Sequence, residues 1–98
     1  TLVFRDIRPQ APVHLLVIPK GPYVCFDHFA AEAPAEEIVD FHRTAARACE
    51  LAGVSPGADG NGYRTVSNAG ADAVQEVPHY HLHILGGRGL GPMLSRRD

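Results

Sequence analysis

The segment HYHLHIL, residues His79–Leu85, alternates histidine with apolar residues and restricts the possible folds more than any other feature of the chain. Successive side chains of a β-strand point to opposite faces, so a strand here would place the three histidines on one face. Tyr80, Leu82 and Ile84 would lie on the other face and could be buried against a helix. The apolar face explains how such a strand folds, whereas the histidine face calls for a functional explanation.

Three earlier segments also predict strands. Leu2–Phe4 and Val13–Pro19 are mostly apolar and β-branched, and Tyr63–Asn68 alternates between apolar and polar residues. Prolines and glycines separate these segments from their neighbours. With His79–Leu85, the chain therefore has about four short strands of the kind that pair in an antiparallel sheet.

Residues Ala33–Gly53 predict the one main helix. Pro34 suits a first helical position, and Gly53 suits the C-terminal cap. One apolar face results from residues at helical spacing, namely Ile38, Phe41, Ala45, Ala48 and Ala52. One helix and about four strands with short connections predict an α+β architecture, with residues 1–98 forming a single domain.

Size and charge exclude several functions. The 98 residues carry a formal net charge of -2 with neutral histidines, so binding to a nucleic-acid backbone is not expected. The longest apolar run, Leu15–Ile18, is too short to cross a bilayer, and no membrane association is expected.

Cys25 and Cys49 form no C-x-x-C pair, which fits a reducing cytoplasm. A chain this short buries only ~60–65% of its unfolded surface, which favours a homodimer.

Three interpretations of the histidine face are open: a solvated surface, a zinc site, or a nucleophilic site. Zinc is disfavoured, because a strand rise of about 3.3 Å per residue separates His79 from His83 by roughly 13 Å. No cysteine pair or acidic cluster supplies other ligands convincingly, so we expect no metal. Attack on phosphorus fits better, because a neutral imidazole is a good nucleophile and its histidine neighbours can donate protons.

Several segments resemble a known family. The alternation of histidine and apolar residues is the signature of the histidine triad proteins, and HYHLHIL matches all seven positions. Four further segments resemble the nucleotide-binding branch of that family, in its bacterial form and in the same order: Arg5–Lys20, Gly62–Gly70, Gly86–Arg88 and Gly89–Leu94. The resemblance covers nearly the whole chain.

The resemblance implies a HIT-like fold whose dimer joins two sheets into one, and a purine nucleoside phosphoramidate hydrolase of the adenosine 5′-monophosphoramidase type. His81 would attack the α-phosphorus and become nucleotidylated, and water would then release AMP. His83 would contact the phosphate and assist proton transfer, His79 would orient His81 through its backbone carbonyl, and His14 would support the triad. No cofactor is implied. A nucleotide-binding interaction module with incidental turnover and a dinucleoside polyphosphate hydrolase stay open as alternatives.

The resemblance also implies contacts to the nucleoside. Asp6 would accept hydrogen bonds from the ribose hydroxyls, since a carboxylate offers paired acceptors. Phe4, Ile7 and Leu16 would form the apolar pocket for the purine. The N-terminal helix and strand that usually complete this pocket are absent from the sequence, so the domain is expected to lack its N-terminal part.

Three residues before the histidines would lie near the phosphate and the leaving group. Asn68 would contact both. Val74 falls where related proteins commonly have glycine with a backbone N–H that faces the phosphate. Glu76 stands where many have a small hydroxyl residue, and repulsion by the phosphate predicts that its carboxylate faces the leaving amine.

Overall fold

The fold is an antiparallel sheet of four strands with two helices between the second and third strands. In the computed structural model, residues 1–57 and 59–95 are described. The elements in chain order are β1 Leu2–Arg5, β2 Val13–Ile18, α1 Phe26–Glu32, α2 Ala35–Leu51, β3 Tyr63–Val66 and β4 Leu82–Gly86. The strands lie in the order β1-β2-β4-β3. Among the described residues, no helix is long and apolar enough to cross a membrane.

Strand register gives the sheet two different faces. On the face toward the helices, Leu15 lies opposite Ile84. On the other face, one row of directly opposed residues crosses all four strands: Phe4, Leu16, His83 and Val66. The row places His83 beside apolar side chains of two neighbouring strands.

An aromatic cluster fills the space between the sheet and the helices. Phe29 of α1, Phe41 of α2 and Tyr80 pack with ring centroids 5.0–5.2 Å apart. Val17 and Ile84 contribute from the sheet, and both are fully buried. The apolar residues between the histidines therefore supply core contacts, as their alternation predicts.

The main helix follows its predicted pattern, and a second helix was not predicted. Ala45 and Ala48 of α2 are buried, and Gly53 has a φ of 73°, which suits the turn after the helix. Pro34 is the N-cap and not the first helical residue. The seven-residue α1 has no side-chain cap hydrogen bond, so the sequence offers no strong start signal for it.

The predicted strand His79–Leu85 is wrong in its first half, because β4 begins only at Leu82. If the β2–β4 register continued, Tyr80 would lie opposite Pro19, which has no N–H to donate. The N–H of Tyr80 instead donates to the carbonyl of Tyr23 at 2.7 Å. His79 and His81 thus lie outside the ladder, and strand alternation alone does not orient them.

Truncation of Ile84 should destabilise the domain strongly, because its side chain is fully buried in the core. We expect Ile84→Ala to lower the free energy of unfolding by about 2–5 kcal/mol and Ile84→Val by about 0.5–1.5 kcal/mol. Urea denaturation measures both. Val39→Ala on the exposed side of α2 is the control. A loss below that of the control for Ile84→Ala would contradict this packing.

Candidate active site

A backbone carbonyl fixes the tautomer of His81. The Nδ1 atom of His81 lies 2.8 Å from the carbonyl oxygen of His79. A carbonyl can only accept, so Nδ1 of the neutral ring carries the proton. The Nε2 atom of His81 therefore holds a free lone pair. This is the tautomer in which Nε2 can act as a nucleophile.

His79 is fixed in the opposite tautomer. Its Nε2 atom lies 3.0 Å from the carbonyl oxygen of Pro19, directly after β2. By the same reasoning, Nε2 of His79 donates to that carbonyl. The ring thus anchors residue 79 to the end of β2, and the His79 carbonyl is held in place for His81. This is the contact that the resemblance implies between His79 and His81.

A directed chain of hydrogen bonds connects His14 to His83. The backbone N–H of Gln10 donates to Nδ1 of His14 at 3.1 Å, so the proton of the neutral His14 ring is on Nε2. That Nε2 lies 2.9 Å from Nδ1 of His83 and donates to it. His83 then carries its own proton on Nε2. The neighbouring ring of His81 lies 5.0 Å away between centroids.

Burial keeps His83 neutral. The pKa of His83 is lowered from 6.5, first by burial and then by the nearby His81 and His14, with Asp6 opposing the shift. At neutral pH the ring is therefore an uncharged N–H donor. It can donate a hydrogen bond from Nε2–H to an oxygen or nitrogen atom of a bound molecule.

Asp6 belongs to the same cluster but has partners of its own. Its Oδ2 lies 3.4 Å from Nε2 of His14, and its Oδ1 accepts the backbone N–H of Arg8 at 2.8 Å. The ligand atoms of Asp6, His14 and His83 all lie within 4.8 Å of one another, a spacing that a metal ion could use. The hydrogen bond from Nε2 of His14 to Nδ1 of His83 already occupies both of these nitrogen atoms. Absence of a metal stays a prediction.

An apolar groove lies beside the two histidines that precede β4. Its volume is about 330 Å³, and it is lined by Phe4, Leu16, Ile18, Val77, His79 and His81. The sequence predicts Phe4 and Leu16 as purine contacts, whereas Ile18 and Val77 were not predicted. Ile18 lies two residues after Leu16 on β2, so strand periodicity could have indicated it. Ile7 is 93% exposed and lies outside the groove, and its role stays a prediction.

The loop between β3 and β4 carries the remaining predicted contacts. Asn68 lies two residues after the end of β3, beyond the last β3–β4 pair, Val66–His83, and its contact with the leaving group stays a prediction. Val74 has a φ of 57°, a conformation that costs a β-branched residue about 1–3 kcal/mol. Its N–H donates to the carbonyl of Ala71 at 3.0 Å and is not free for a phosphate in this structure. Glu76 is exposed.

This arrangement agrees with a known family. The HIT domain family matches residues 1–90. The chain belongs to the HIT family. The predicted family and the antiparallel α+β fold are therefore confirmed, while the dimer and the roles of the site residues stay predictions.

Relatives of this HIT domain include hydrolases. A HIT-like protein of Azospirillum brasilense is 50% identical over 95 residues, which are 97% of this chain and 75% of the relative. Purine nucleoside phosphoramidase of Escherichia coli K12 is 39% identical over 94 residues, covering 96% of this chain and 75% of the enzyme. The structure of a HIT family hydrolase from Clostridium thermocellum superimposes with a TM-score of 0.80 at 36% identity, covering 95% of this chain and 76% of that one. These similarities support hydrolase activity.

Acid should destabilise this HIT domain through His83. The unfolded chain protonates His83 near its ordinary pKa of 6.5, whereas the folded pKa is lower. Between these two values the unfolded state binds more protons, so stability is complete above 6.5 and is lost as pH falls toward the folded pKa. We expect urea denaturation to give a lower free energy of unfolding at about pH 5 than at about pH 7.5. His83→Asn should have a smaller pH dependence, and an equal dependence in both proteins would contradict the prediction.

Proposed function

We propose that the protein hydrolyses purine nucleoside phosphoramidates through a covalent nucleotidyl-histidine intermediate on His81. One observation carries the proposal: the His79 carbonyl holds the proton of His81 on Nδ1, so Nε2 has a free lone pair. The 39% identity to a purine nucleoside phosphoramidase supports the choice of substrate class. No cofactor takes part in the proposed reaction.

In the first step, Nε2 of His81 attacks the α-phosphorus and the P–N bond to the leaving amine breaks. The amine nitrogen needs a proton as it departs, because an amide anion is a poor leaving group. Water supplies that proton, and its oxygen accepts a hydrogen bond from Nε2–H of His83, which stays neutral and stabilises the hydroxide left behind. His14 donates to the other nitrogen of His83 throughout, so the ring keeps its orientation.

In the second step, the hydroxide formed from that water attacks the phosphorus of the nucleotidyl-histidine, and the bond between phosphorus and Nε2 of His81 breaks. Nε2–H of His83 donates a hydrogen bond to the hydroxide until it attacks. AMP leaves, and both rings are again in their starting tautomers. The same two imidazoles therefore serve both steps with no net proton change on the protein.

The nucleoside would occupy the apolar groove. A purine ring there would lie against Phe4 and Leu16, next to His81. Asp6 would meet the ribose hydroxyls, with its contacts to His14 and Arg8 limiting where its carboxylate can point. The site residues and the purine contacts are part of this proposal.

We further propose that two copies associate through β3. This strand lies at one edge of the sheet, where its outer backbone groups have no neighbouring strand among the described residues. An open pocket with a volume of about 400 Å³ lies next to that edge, and the residues that line it include Phe26, Cys49 and Tyr63. Phe26 is 53% exposed and Tyr63 44% exposed. Pairing of two β3 edges would join two sheets into one and cover these side chains.

Removal of the His81 imidazole should abolish turnover without abolishing binding. We expect His81→Ala to lower kcat by about 10⁴-fold or more, because the covalent step loses its nucleophile. AMP should still bind, since the groove and Asp6 are retained. The measurements are steady-state hydrolysis of an adenosine phosphoramidate and calorimetric titration with AMP. His42→Ala, an exposed histidine of α2, is the matched control and should keep full activity.

The intermediate can be observed directly. Rapid acid quenching of the wild-type reaction, followed by peptide mass analysis, should show AMP on the peptide that contains His81. Near-normal turnover by His81→Ala, or an adduct on His79 or His83, would refute the mechanism. AMP binding with negligible wild-type turnover would favour the interaction-module alternative.

The backbone N–H of Gln10 should also matter for catalysis, because it fixes the tautomer of His14 and through it that of His83. Gln10→Pro removes this N–H, whereas Gln10→Ala keeps it. We expect Gln10→Pro to lower kcat by about tenfold or more, because His83 loses the tautomer whose Nε2–H assists proton transfer to the amine, and acid catalysis contributes about 10²–10⁴. The loss should be largest for basic leaving amines. Hydrolysis rates over a series of amines measure it.

Gln10→Ala is the matched control, because only the side chain changes. Its kcat should stay within about twofold of the wild type for every amine. Thermal unfolding of both variants verifies that the loop before β2 still folds. Equal rates for Gln10→Pro and Gln10→Ala would show that the Gln10 N–H does not set the tautomers.

A further inference from the structure

Gln75 is a polar residue that the proposed reaction does not use, yet its side chain is fully engaged. Its Oε1 accepts the backbone N–H of Gly70 at 3.1 Å. Its Nε2 donates to the carbonyls of Val24 at 2.6 Å and Val77 at 3.1 Å. One carboxamide thus joins both ends of the loop before the histidines to a distant part of the chain.

The distant part is residues 19–24, here called the connector, which links β2 to the start of α1. Its carbonyls accept three hydrogen bonds from the chain that precedes β4. The carbonyl of Pro19 accepts from Nε2 of His79, and that of Tyr23 accepts from the N–H of Tyr80. The carbonyl of Val24 accepts from Gln75.

The connector is itself held from the helices. Glu37 of α2 accepts the hydroxyl of Tyr23 at 3.1 Å and the N–H of Gly21 at 3.4 Å. Nδ1 of His28 in α1 accepts the N–H of Val24 at 2.9 Å. Both the N–H and the carbonyl of Val24 are therefore hydrogen-bonded, and the N–H bond to α1 holds this residue in place for the Gln75 carboxamide.

The position of His81 depends on these bonds. Residues 79–81 lie outside β4, so no ladder hydrogen bond holds the His79 carbonyl that orients His81. Pro78 precedes them and has no N–H to donate. The segment between the loop and the first residue of β4 is held to the connector by the bonds of His79, Tyr80 and Gln75. In chain order, the Gln75 bond comes before those of His79 and Tyr80.

We propose that Gln75 is a positioning residue, which acts through the connector and the His79 carbonyl to align His81 for attack on phosphorus. The proposal rests on the proposed function, because alignment matters only where His81 is the nucleophile. Loss of the carboxamide would let the segment before β4 shift relative to the connector. A misplacement of about 1 Å lowers the rate of a positioned reaction by about 10²-fold.

The sharpest variant is Gln75→Glu, which keeps the shape of the side chain and replaces the Nε2 donor by an acceptor. The bonds to Val24 and Val77 are then lost, while the bond to Gly70 is kept. Gln75→Ala removes all three. Asp72→Asn is the matched control, since Asp72 is exposed on the same loop. We expect both Gln75 variants to lower kcat by about 10- to 100-fold with KM changed less than about threefold, and Asp72→Asn to change neither.

Ring ¹⁵N chemical shifts of the histidines provide a readout that needs no substrate. The wild type should give His81 as the Nδ1–H tautomer and His79 as the Nε2–H tautomer, and Gln75→Glu should shift both signals toward tautomer averaging. Asp72→Asn should leave them unchanged. In the wild type, the Gln75 carboxamide protons should exchange slowly with solvent, which tests the bonds even where a variant fails to fold.

The outcomes separate the two proposals. Shifted ring signals together with a lower kcat would support the positioning role. Unchanged signals and unchanged kcat in Gln75→Glu, fast exchange of the wild-type carboxamide, or a raised KM at constant kcat would overturn it. A wild type that shows the expected ring signals but no hydrolysis would refute the proposed function, while the ring signals of Gln75→Glu would still decide whether Gln75 positions the histidines.

Discussion

The antiparallel pairing of β2 with β4 is the interaction on which the rest of the structure depends. Leu15 and Val17 of β2 meet Ile84 and Leu82 of β4 on the face that the helices cover. On the other face, the same register puts Leu16 opposite His83 and brings His14 diagonally within hydrogen-bond distance of His83. A slip of one residue would expose the core side chains and bury the histidines. Burial of the core therefore fixes the positions of His14 and His83 on the other face.

Backbone groups distinguish histidines that are chemically identical. The carbonyls of His79 and Pro19 accept ring protons, and the N–H of Gln10 donates to a ring nitrogen. Because these groups cannot exchange the roles of donor and acceptor, each ring has one neutral tautomer that fits. His81 is left with a free Nε2 and His83 with an Nε2–H. In the proposed reaction, nucleophilic attack and hydrogen-bond donation therefore belong to different rings before a substrate binds.

The sequence predicted what depends on local periodicity and missed what depends on distant backbone. Alternation around Tyr80 and Ile84 predicted their burial, and helical spacing predicted the apolar face of α2. The predicted start of β4 was wrong, because Pro19, which would lie opposite Tyr80 across the sheet, has no N–H to donate. The Gln75 bonds to Val24 span 51 residues and leave no periodic signal. The His14 role came from resemblance, since a buried histidine in an apolar strand has no signature of its own.

The backbone origin of the Gln10 hydrogen bond has a consequence for sequence variation. Any residue except proline at position 10 presents the same N–H, so many side chains there are compatible with the same chemistry. An insertion or deletion between Asp6 and His14 is different, because it would move the donor away from the His14 ring. In this loop the number of residues is therefore under stronger constraint than their identity.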